Sequence, residues 1–100
     1  MGQRIEIEDE VVVDDSIILS TDRSLTSADG EGYGSADEAT DSGTFAGGLA
    51  SDLFESSDVI TRVYVASNVV VVQRKGGWSA DATASTRSII EEFFLYYPAV

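Results

Sequence analysis

The chain of 100 residues contains no cysteine and no histidine. Without cysteine it has neither a thiolate nucleophile nor a ligand for an iron–sulfur cluster. Without histidine it lacks the commonest general base, and the two absences together remove the usual zinc ligands. The absence of these two residue types excludes many metal-based and nucleophilic mechanisms. We therefore expect no cofactor, no metal site and no catalytic residue.

Positive charge is scarce as well. The sequence has 6 basic residues against 18 acidic ones, a formal net charge of −12, and its single lysine is Lys75. Nucleic acids and anionic membranes bind through several lysines and arginines. The composition predicts neither a nucleic-acid nor a membrane partner, and it favours a basic protein surface or a cation. The alternative is that the acidity serves solubility or reflects a salt-adapted proteome.

Long apolar runs are also missing. The longest aliphatic run, Val69–Val72, is far shorter than the roughly 20 residues that cross a bilayer. The N-terminal region carries charges throughout and has no apolar stretch of the signal-peptide kind. A length of 100 residues with 43% hydrophobic content predicts one folded domain over residues 1–100. We expect a cytoplasmic monomer.

The N-terminal part predicts two strands. Charged and apolar residues alternate in Arg4–Glu8, which is typical of a half-buried strand with its isoleucines inward. Residues 11–13, all valine, either extend this strand or interrupt it. Residues 14–16 give a turn signal, and residues 17–19 then predict a second strand, antiparallel to the first.

Residues 20–43 differ in composition from the rest. They are dense in Ser, Thr, Asp, Glu and Gly, with only Leu25 and Tyr33 as large apolar side chains. We predict a long acidic loop, with a short edge strand around Tyr33 as the alternative. The run Gly30–Gly34 (GEGYG) lacks the helix and lysine of a phosphate-binding loop, so it predicts a flexible loop.

A helix follows the acidic loop. Apolar side chains at i+4 spacing predict a helix over residues 44–56, capped by Ser42 or Thr44. Gly47 and Gly48 lower its intrinsic helix propensity. We interpret this pair of glycines as close packing against the sheet; a backbone approach site for a ligand is the alternative.

The remaining residues predict a hairpin and a last helix. Residues 59–66 and 69–74 form the hairpin, joined by the turn Ser67-Asn68, in which Asn tolerates a positive φ. The second strand does not alternate, so it is predicted to be central or covered on both faces. Residues 80–97 predict the helix. The whole order defines an α+β fold: a two-layer sandwich with a largely antiparallel sheet and two helices on one face.

No motif predicts a metal or catalytic site. Asp29–Gly32 looks like part of a calcium loop but lacks the alternating aspartates and the terminal glutamate. Glu91 and Glu92 are adjacent on a predicted helix, where neighbours point about 100° apart and do not converge.

Five residues are candidates for an interaction surface. Arg62 and Arg74 fall on neighbouring predicted strands, where they could lie close together and form a small anion site. Tyr64 shares the outer face of Arg62, and Tyr33 is an aromatic anchor of the acidic loop. Tyr96 belongs to four aromatics in five residues that cannot all face the core, so either it is exposed for a partner or it packs at the terminus.

Several segments of the second half carry a family resemblance. They are LASDLFE at 49–55, DVITRVYV at 58–65, NVVVV at 68–72, Trp78 and IIEEFF at 89–94. This order of helix end, hairpin, tryptophan and amphipathic helix resembles the N-terminal domain of the Nfu/NifU-like scaffold proteins over Phe45–Tyr97. The N-terminal stretch departs from that family, because residues 15–20 lack the proline and lysine of its Asn-Pro-x-x-Leu-Lys-Phe segment.

In that family a separate Cys-x-x-Cys domain assembles the cluster. The resemblance therefore implies a non-enzymatic accessory or protein-interaction domain, linked to iron–sulfur cluster maturation but binding no cluster itself. The alternative is a small ligand- or cation-binding protein, or a minor enzyme, that uses the carboxylates of the acidic loop.

Overall fold

The computed structural model describes residues 5–22 and 30–96, which form one antiparallel sheet and three helices. The strands are β1 (Ile7–Val13), β2 (Ser16–Thr21), β3 (Glu31–Tyr33), β4 (Ile60–Ala66) and β5 (Val69–Arg74). The helices are α1 (Ala36–Asp41), α2 (Phe45–Ser56) and α3 (Ala80–Tyr96).

The sheet has the strand order β1-β2-β5-β4-β3, and every neighbouring pair is antiparallel. The hairpin β4–β5 therefore supplies the centre of the sheet, and β1 and β3 are its edges. This confirms the predicted α+β fold and the central position of β5. Only one face of β5 is fully buried, since its four valines alternate between half-buried and buried and Gln73 is exposed.

The core lies between the sheet and the helices. Alternate residues of β2, β4 and β5 point toward α2 and α3, whose apolar stripes pack against them. The fully buried side chains of this layer include Ile17, Leu19, Val63, Val65, Val70, Val72, Leu49, Leu53 and Ile90. None of the described helices covers the opposite face of the sheet, which we call the open face.

The acidic segment 20–43 is not the single loop that the sequence predicts, whereas the alternative, a short edge strand around Tyr33, is confirmed. Its described part contains the end of β2, the edge strand β3 and the helix α1. A variant of the capping box starts α1: the Ser35 hydroxyl accepts the Glu38 N–H at 3.1 Å, and the Glu38 carboxylate accepts the N–H of Gly34, the residue before the cap, at 3.2 Å. Residues 23–29, which include Leu25, lie outside the described residues.

The first strand begins later than predicted. β1 starts at Ile7 and continues through the three valines, while Ile5 precedes it and is fully buried. The Ile5 N–H donates to the Glu91 carbonyl of α3 at 2.8 Å, so it is bonded outside the sheet. The alternation of charged and apolar residues in 4–8 therefore predicts the burial of Ile5 correctly, but it does not predict where the strand begins.

The turn between β4 and β5 lies where the sequence predicts it, with one correction. Ser67, not Asn68, takes the positive φ, at 54°. Asn68 instead bonds to the end of β2: its side-chain amide donates to the Thr21 carbonyl at 3.1 Å, and its own carbonyl accepts the Thr21 N–H at 2.8 Å. The turn thus ties the hairpin to β2.

The double glycine of α2 permits close packing, but against helices and not against the sheet. A Cβ at Gly47 would collide with the Ser42 hydroxyl and the Ala39 carbonyl at the end of α1. A Cβ at Gly48 would lie 3.4 Å from the Phe93 ring of α3. Thr44 caps α2 by accepting the Gly47 N–H at 3.0 Å.

Candidate interaction surface

An apolar row crosses the open face. Val11 pairs with Ile18, Ile18 with Val71, and Val71 with Tyr64, so four strands each contribute one side chain. Val11 is 44% exposed and Tyr64 37%, and the two central members are half-buried. We call Val11, Ile18, Val71 and Tyr64 the open-face row. Contiguous exposed apolar side chains of this kind are typical of a binding surface.

Gly32 in β3 and Gly30 just before β3 leave room for Tyr64, the last member of the open-face row. Tyr64 stands opposite Gly32, and a Cβ on Gly32 would lie 3.2 Å from the Tyr64 ring and 3.1 Å from the Arg62 guanidinium. Gly30, with φ at 76°, is so close to Tyr64 that a Cβ would collide with its hydroxyl. The GEGYG run is therefore not the predicted flexible loop. Its glycines let Tyr64 and Arg62 lie over β3.

The prediction of an anion site formed by Arg62 and Arg74 is wrong, because the two side chains lie on opposite faces of the sheet. Arg62 pairs with Gln73 on the open face, whereas Arg74 pairs with Ile60 on the helix side. The Arg74 guanidinium donates to the Gly77 carbonyl at 2.9 Å and lies 6.0 Å from the Trp78 ring centroid.

The contacts of Arg74 belong to the connection between β5 and α3. The Trp78 indole N–H and the Arg74 backbone N–H both donate to the Asp15 carbonyl at 2.8 Å, which ties this connection to the turn before β2. Arg74 also lines a polar cavity of about 260 Å³ with four serines and Asp81. Asp81 opposes the binding of an anion there, so we assign Arg74 a structural role.

Tyr33 is on the helix side of β3 and is only 4% exposed, so it cannot contribute to an exposed surface. Its hydroxyl hydrogen-bonds to the Glu31 carboxylate and lies 3.3 Å from the Thr44 hydroxyl, which itself donates to Glu31 at 2.8 Å. Burial, and then the hydrogen bond to Glu31, raise the pKa of Tyr33. This network joins β3 to the first turn of α2.

The fifth candidate, Tyr96, is the last residue of α3, and its side chain lies outside the described part of the chain. Its predicted role therefore remains a prediction. Of the five candidates, the structure brings together only Arg62 and Tyr64, on the open face. Sequence reasoning missed Val11, Ile18 and Val71 as their neighbours.

A second concave site lies between α2 and α3. It is a groove of about 400 Å³ whose carboxylates are Asp52, Glu55 and Glu92, beside the apolar side chains of Ile89 and Phe93. Burial, and then the charge of Glu55, raise the pKa of Asp52. The sequence signal for this site is the i, i+3 spacing of Asp52 and Glu55 on one helix.

The two adjacent glutamates of α3 diverge, as predicted. Glu92 lines the α2–α3 groove and accepts a hydrogen bond from the Ser88 hydroxyl at 2.8 Å. Glu91 lies 3.9 Å from Arg87, its i, i+4 neighbour on α3. Arg87 also bonds Glu10 of β1 at 2.9 Å, a contact that sequence spacing does not reveal.

Within residues 5–22 and 30–96 no group of three or more acidic side chains is placed to hold a metal ion. The same part of the chain has no helix long and apolar enough to cross a membrane. No family model, curated protein or solved structure matches the chain. The resemblance to the Nfu N-terminal domain therefore remains a prediction from the residues.

Proposed function

We propose that this chain is a non-enzymatic interaction domain that binds a partner protein through the open face of its sheet. The open-face row is the observation that carries the proposal. It crosses four strands, and no described helix covers it. Interfaces commonly centre on exposed aromatic and aliphatic side chains with a polar rim, and Tyr64 beside Arg62 has that composition.

The charge around the row indicates the kind of partner. Asp9 is opposite Ser20, one row away from Val11, and Glu8 is exposed beside it on β1. With a net charge of −12, the chain attracts basic surfaces and repels acidic ones. A partner with apolar side chains at its centre and lysine or arginine at its rim complements this face.

The finer assignment is to iron–sulfur cluster maturation, and it rests on the resemblance of residues 45–97 to the Nfu N-terminal domain. The chain has no cysteine with which to bind a cluster. In this proposal it acts as an accessory that recruits a protein to that process. Identification of the bound partner tests this part separately from the binding itself.

Affinity capture with two matched variants tests the interaction. Val71→Lys places a positive charge in the open-face row, whereas Ser85→Lys places the same charge on an exposed position of α3. We expect the native chain and Ser85→Lys to retain the same protein at low salt, Val71→Lys to lose it, and added salt to elute it. Urea unfolding of each variant checks that the fold persists.

Two results would contradict the proposal. The first is that no protein is retained at any ionic strength. The second is retention by Val71→Lys as strong as by the native chain. If a partner is retained through the open face and mass spectrometry finds no protein of cluster maturation, the interaction stands and the finer assignment fails.

The groove between α2 and α3 favours a second candidate, a site for a small organic cation. Its three carboxylates and apolar side chains suit an alkylamine, whose charge and hydrocarbon chain would both find partners. The carboxylates of the acidic segment suit this role less well, because Glu31 is bonded to Tyr33 and Thr44. Calorimetric titration with spermidine tests this candidate, and an absence of heat would end it.

A further inference from the structure

The outer edge of β1 is the longest strand edge in the described part of the chain. β1 has seven residues and pairs only with β2, whereas the opposite edge, β3, has three. Exposed strand edges are templates for pairing with another chain, and proteins usually protect them with charges, bulges or prolines. β1 is protected along one half only.

The protected half is acidic. Glu8 falls at a bulge between Ile7 and Asp9, and the Glu10 N–H donates to the Asp9 side chain at 2.9 Å. A bulge and an occupied N–H both hinder a new strand from pairing there. The other half is Val11, Val12 and Val13, at 44%, 49% and 51% exposure, with no charged residue among them.

The backbone of Val12 faces outward. The turn Asp14-Asp15 has two residues, so Val13 and Ser16 form the hydrogen-bonded pair that closes the hairpin. Val12 and Ile17 are then a non-hydrogen-bonded pair, which directs the Val12 N–H and C=O to the outer edge. Among the described residues none accepts a hydrogen bond from that N–H outside the sheet.

A groove continues this edge on the helix side. It has a volume of about 540 Å³ and is lined by Glu10, Ala80, Thr83, Ala84, Arg87 and Glu91. A strand added to β1 would send alternate side chains to the open face, beside Val11 and Val13, and to this groove. Small residues of α3 leave room there for side chains of the added strand.

We infer that β1 binds an extended segment of a partner protein in which basic and apolar residues alternate, added as a sixth strand at the edge of the sheet. This inference rests on the proposed function and deepens it, since it names the form of the partner. The valine half offers apolar contacts and the backbone groups of Val12, and the acidic half attracts lysine or arginine.

Charge favours such a segment over a second copy of the chain. Two copies of β1 that pair antiparallel about Val12 would set Glu10 of each against Asp14 of the other. Like charges directly opposite one another in a sheet are destabilising. Arg87 contacts this edge, but it already pairs with Glu10 at 2.9 Å.

The test uses the full chain labelled with ¹⁵N and two synthetic peptides. One peptide alternates lysine and valine, and the other has glutamate in place of lysine. We expect the lysine peptide to bind, with shifts centred on Val11–Val13 and slowed hydrogen exchange at Val12, and the glutamate peptide not to bind. Added salt should weaken the binding.

Two variants locate the contact. Val12→Pro removes the outward N–H without breaking the pairing with β2, since proline is tolerated on edge strands where the N–H faces solvent. We expect it to weaken the lysine peptide about tenfold. Glu8→Lys leaves the backbone groups of β1 in place, and we expect it to weaken the binding of the lysine peptide by reversing one charge of the acidic half. Val12→Thr keeps the N–H and should bind as the native chain does.

Several outcomes would overturn the inference: unchanged affinity in Val12→Pro, no preference between the peptides, or no binding of either. Sedimentation that shows a dimer broken by Val12→Pro, with neither peptide bound, would assign the edge to a second copy. Shifts confined to Val71 and Tyr64 would reject the edge while supporting the open face. Loss of the captured partner in Val71→Lys but not in Val12→Pro would do the same.

Discussion

At the scale of single residues, Gly47 and Gly48 of α2 have different surroundings. A methyl group on Gly47 would overlap the Ser42 hydroxyl and the Ala39 carbonyl, and the latter is backbone that cannot rotate away. We expect Gly47→Ala to lower the free energy of unfolding by about 1–3 kcal/mol, as overpacking does. Urea unfolding followed by circular dichroism measures this.

Gly48→Ala is the matched control in the same helix. Its methyl group would make ordinary contact with the Phe93 ring at 3.4 Å, while alanine gains up to about 1 kcal/mol in helix propensity. We expect this variant to be neutral or more stable. If both variants lose the same stability, the close approach of α1 at Gly47 is not what requires glycine there.

The carboxyl of Asp52 gives a prediction that depends on pH. Burial, and then Glu55, raise the pKa of Asp52, so the folded state holds its proton more tightly than the unfolded state does. The stabilising effect of that proton is full below the ordinary pKa of aspartate and is lost as pH rises through the folded-state pKa. At neutral pH the partly buried charge of the Asp52 carboxylate therefore lowers the free energy of unfolding.

Asp52→Asn removes this cost. We expect the variant to raise the thermal midpoint at neutral pH and to leave it nearly unchanged in acid below the ordinary pKa of aspartate. Asp58→Asn is the control, because Asp58 is exposed and its replacement changes the net charge equally. Equal midpoint shifts in the two variants would mean that general charge repulsion, and not the α2–α3 groove, is responsible.

At the scale of elements, the β4–β5 turn depends on a serine in a conformation that favours glycine. Ser67 has a φ of 54°, where a side chain costs roughly 1–2 kcal/mol. Glycine removes that strain but adds freedom to the unfolded chain, so we expect Ser67→Gly to stabilise the fold by about 0.5–1 kcal/mol. Chemical denaturation at equilibrium measures the difference.

Asn68→Gly should have the opposite sign. Asn68 has no positive φ, and its side-chain amide donates to the Thr21 carbonyl at 3.1 Å. Loss of that hydrogen bond costs about 1 kcal/mol, and glycine adds an entropic cost. Stabilisation by Asn68→Gly would show that the turn prefers glycine for a reason other than the φ of Ser67.

Most elements could be predicted from sequence because local pattern decides them. The alternation in β4, the valines of β5 and the i+4 stripe of α2 each mark an element of the structure. α1 was missed because polar composition outweighed a local signal. Ser35 and Glu38 have the spacing of a capping box, and that pair is what starts the helix.

At the scale of the whole molecule, the open-face row shows why the candidate site could be predicted only in part. The outward direction of Arg62 and Tyr64 follows from alternation within one strand. Their neighbours follow from pairings between β1, β2, β5 and β4, which bring together residues far apart in sequence. Arg62 and Arg74 face opposite sides because Val63 pairs with Val72, which sets Arg62 against Gln73 and places Arg74 one residue further along β5. The run of valines in β5 does not alternate, so the sequence does not reveal this register.

The net charge of −12 acts on the whole body, which extends only 37 × 28 × 24 Å in its described residues. Like charges on such a body repel one another and so destabilise the folded state. The Debye length, about 10 Å at 0.1 M salt and longer below it, sets the distance over which this repulsion acts. Added sodium chloride should therefore raise the free energy of unfolding measured in urea. It should at the same time weaken the binding of a basic partner, since that attraction is screened as well.

These opposite signs separate the two roles of the acidic surface. Glu8→Gln combined with Asp58→Asn removes two exposed charges, and we expect it to reduce both the salt dependence of stability and, through Glu8, the affinity for the lysine peptide. The ion pair of Arg87 with Glu10, at 2.9 Å, works in the other direction, because salt weakens it. If salt lowers the free energy of unfolding of the native chain, ion pairs such as Arg87–Glu10 contribute more to stability than the repulsion between acidic residues takes away. The net charge would then be a poor measure of the electrostatic contribution to stability.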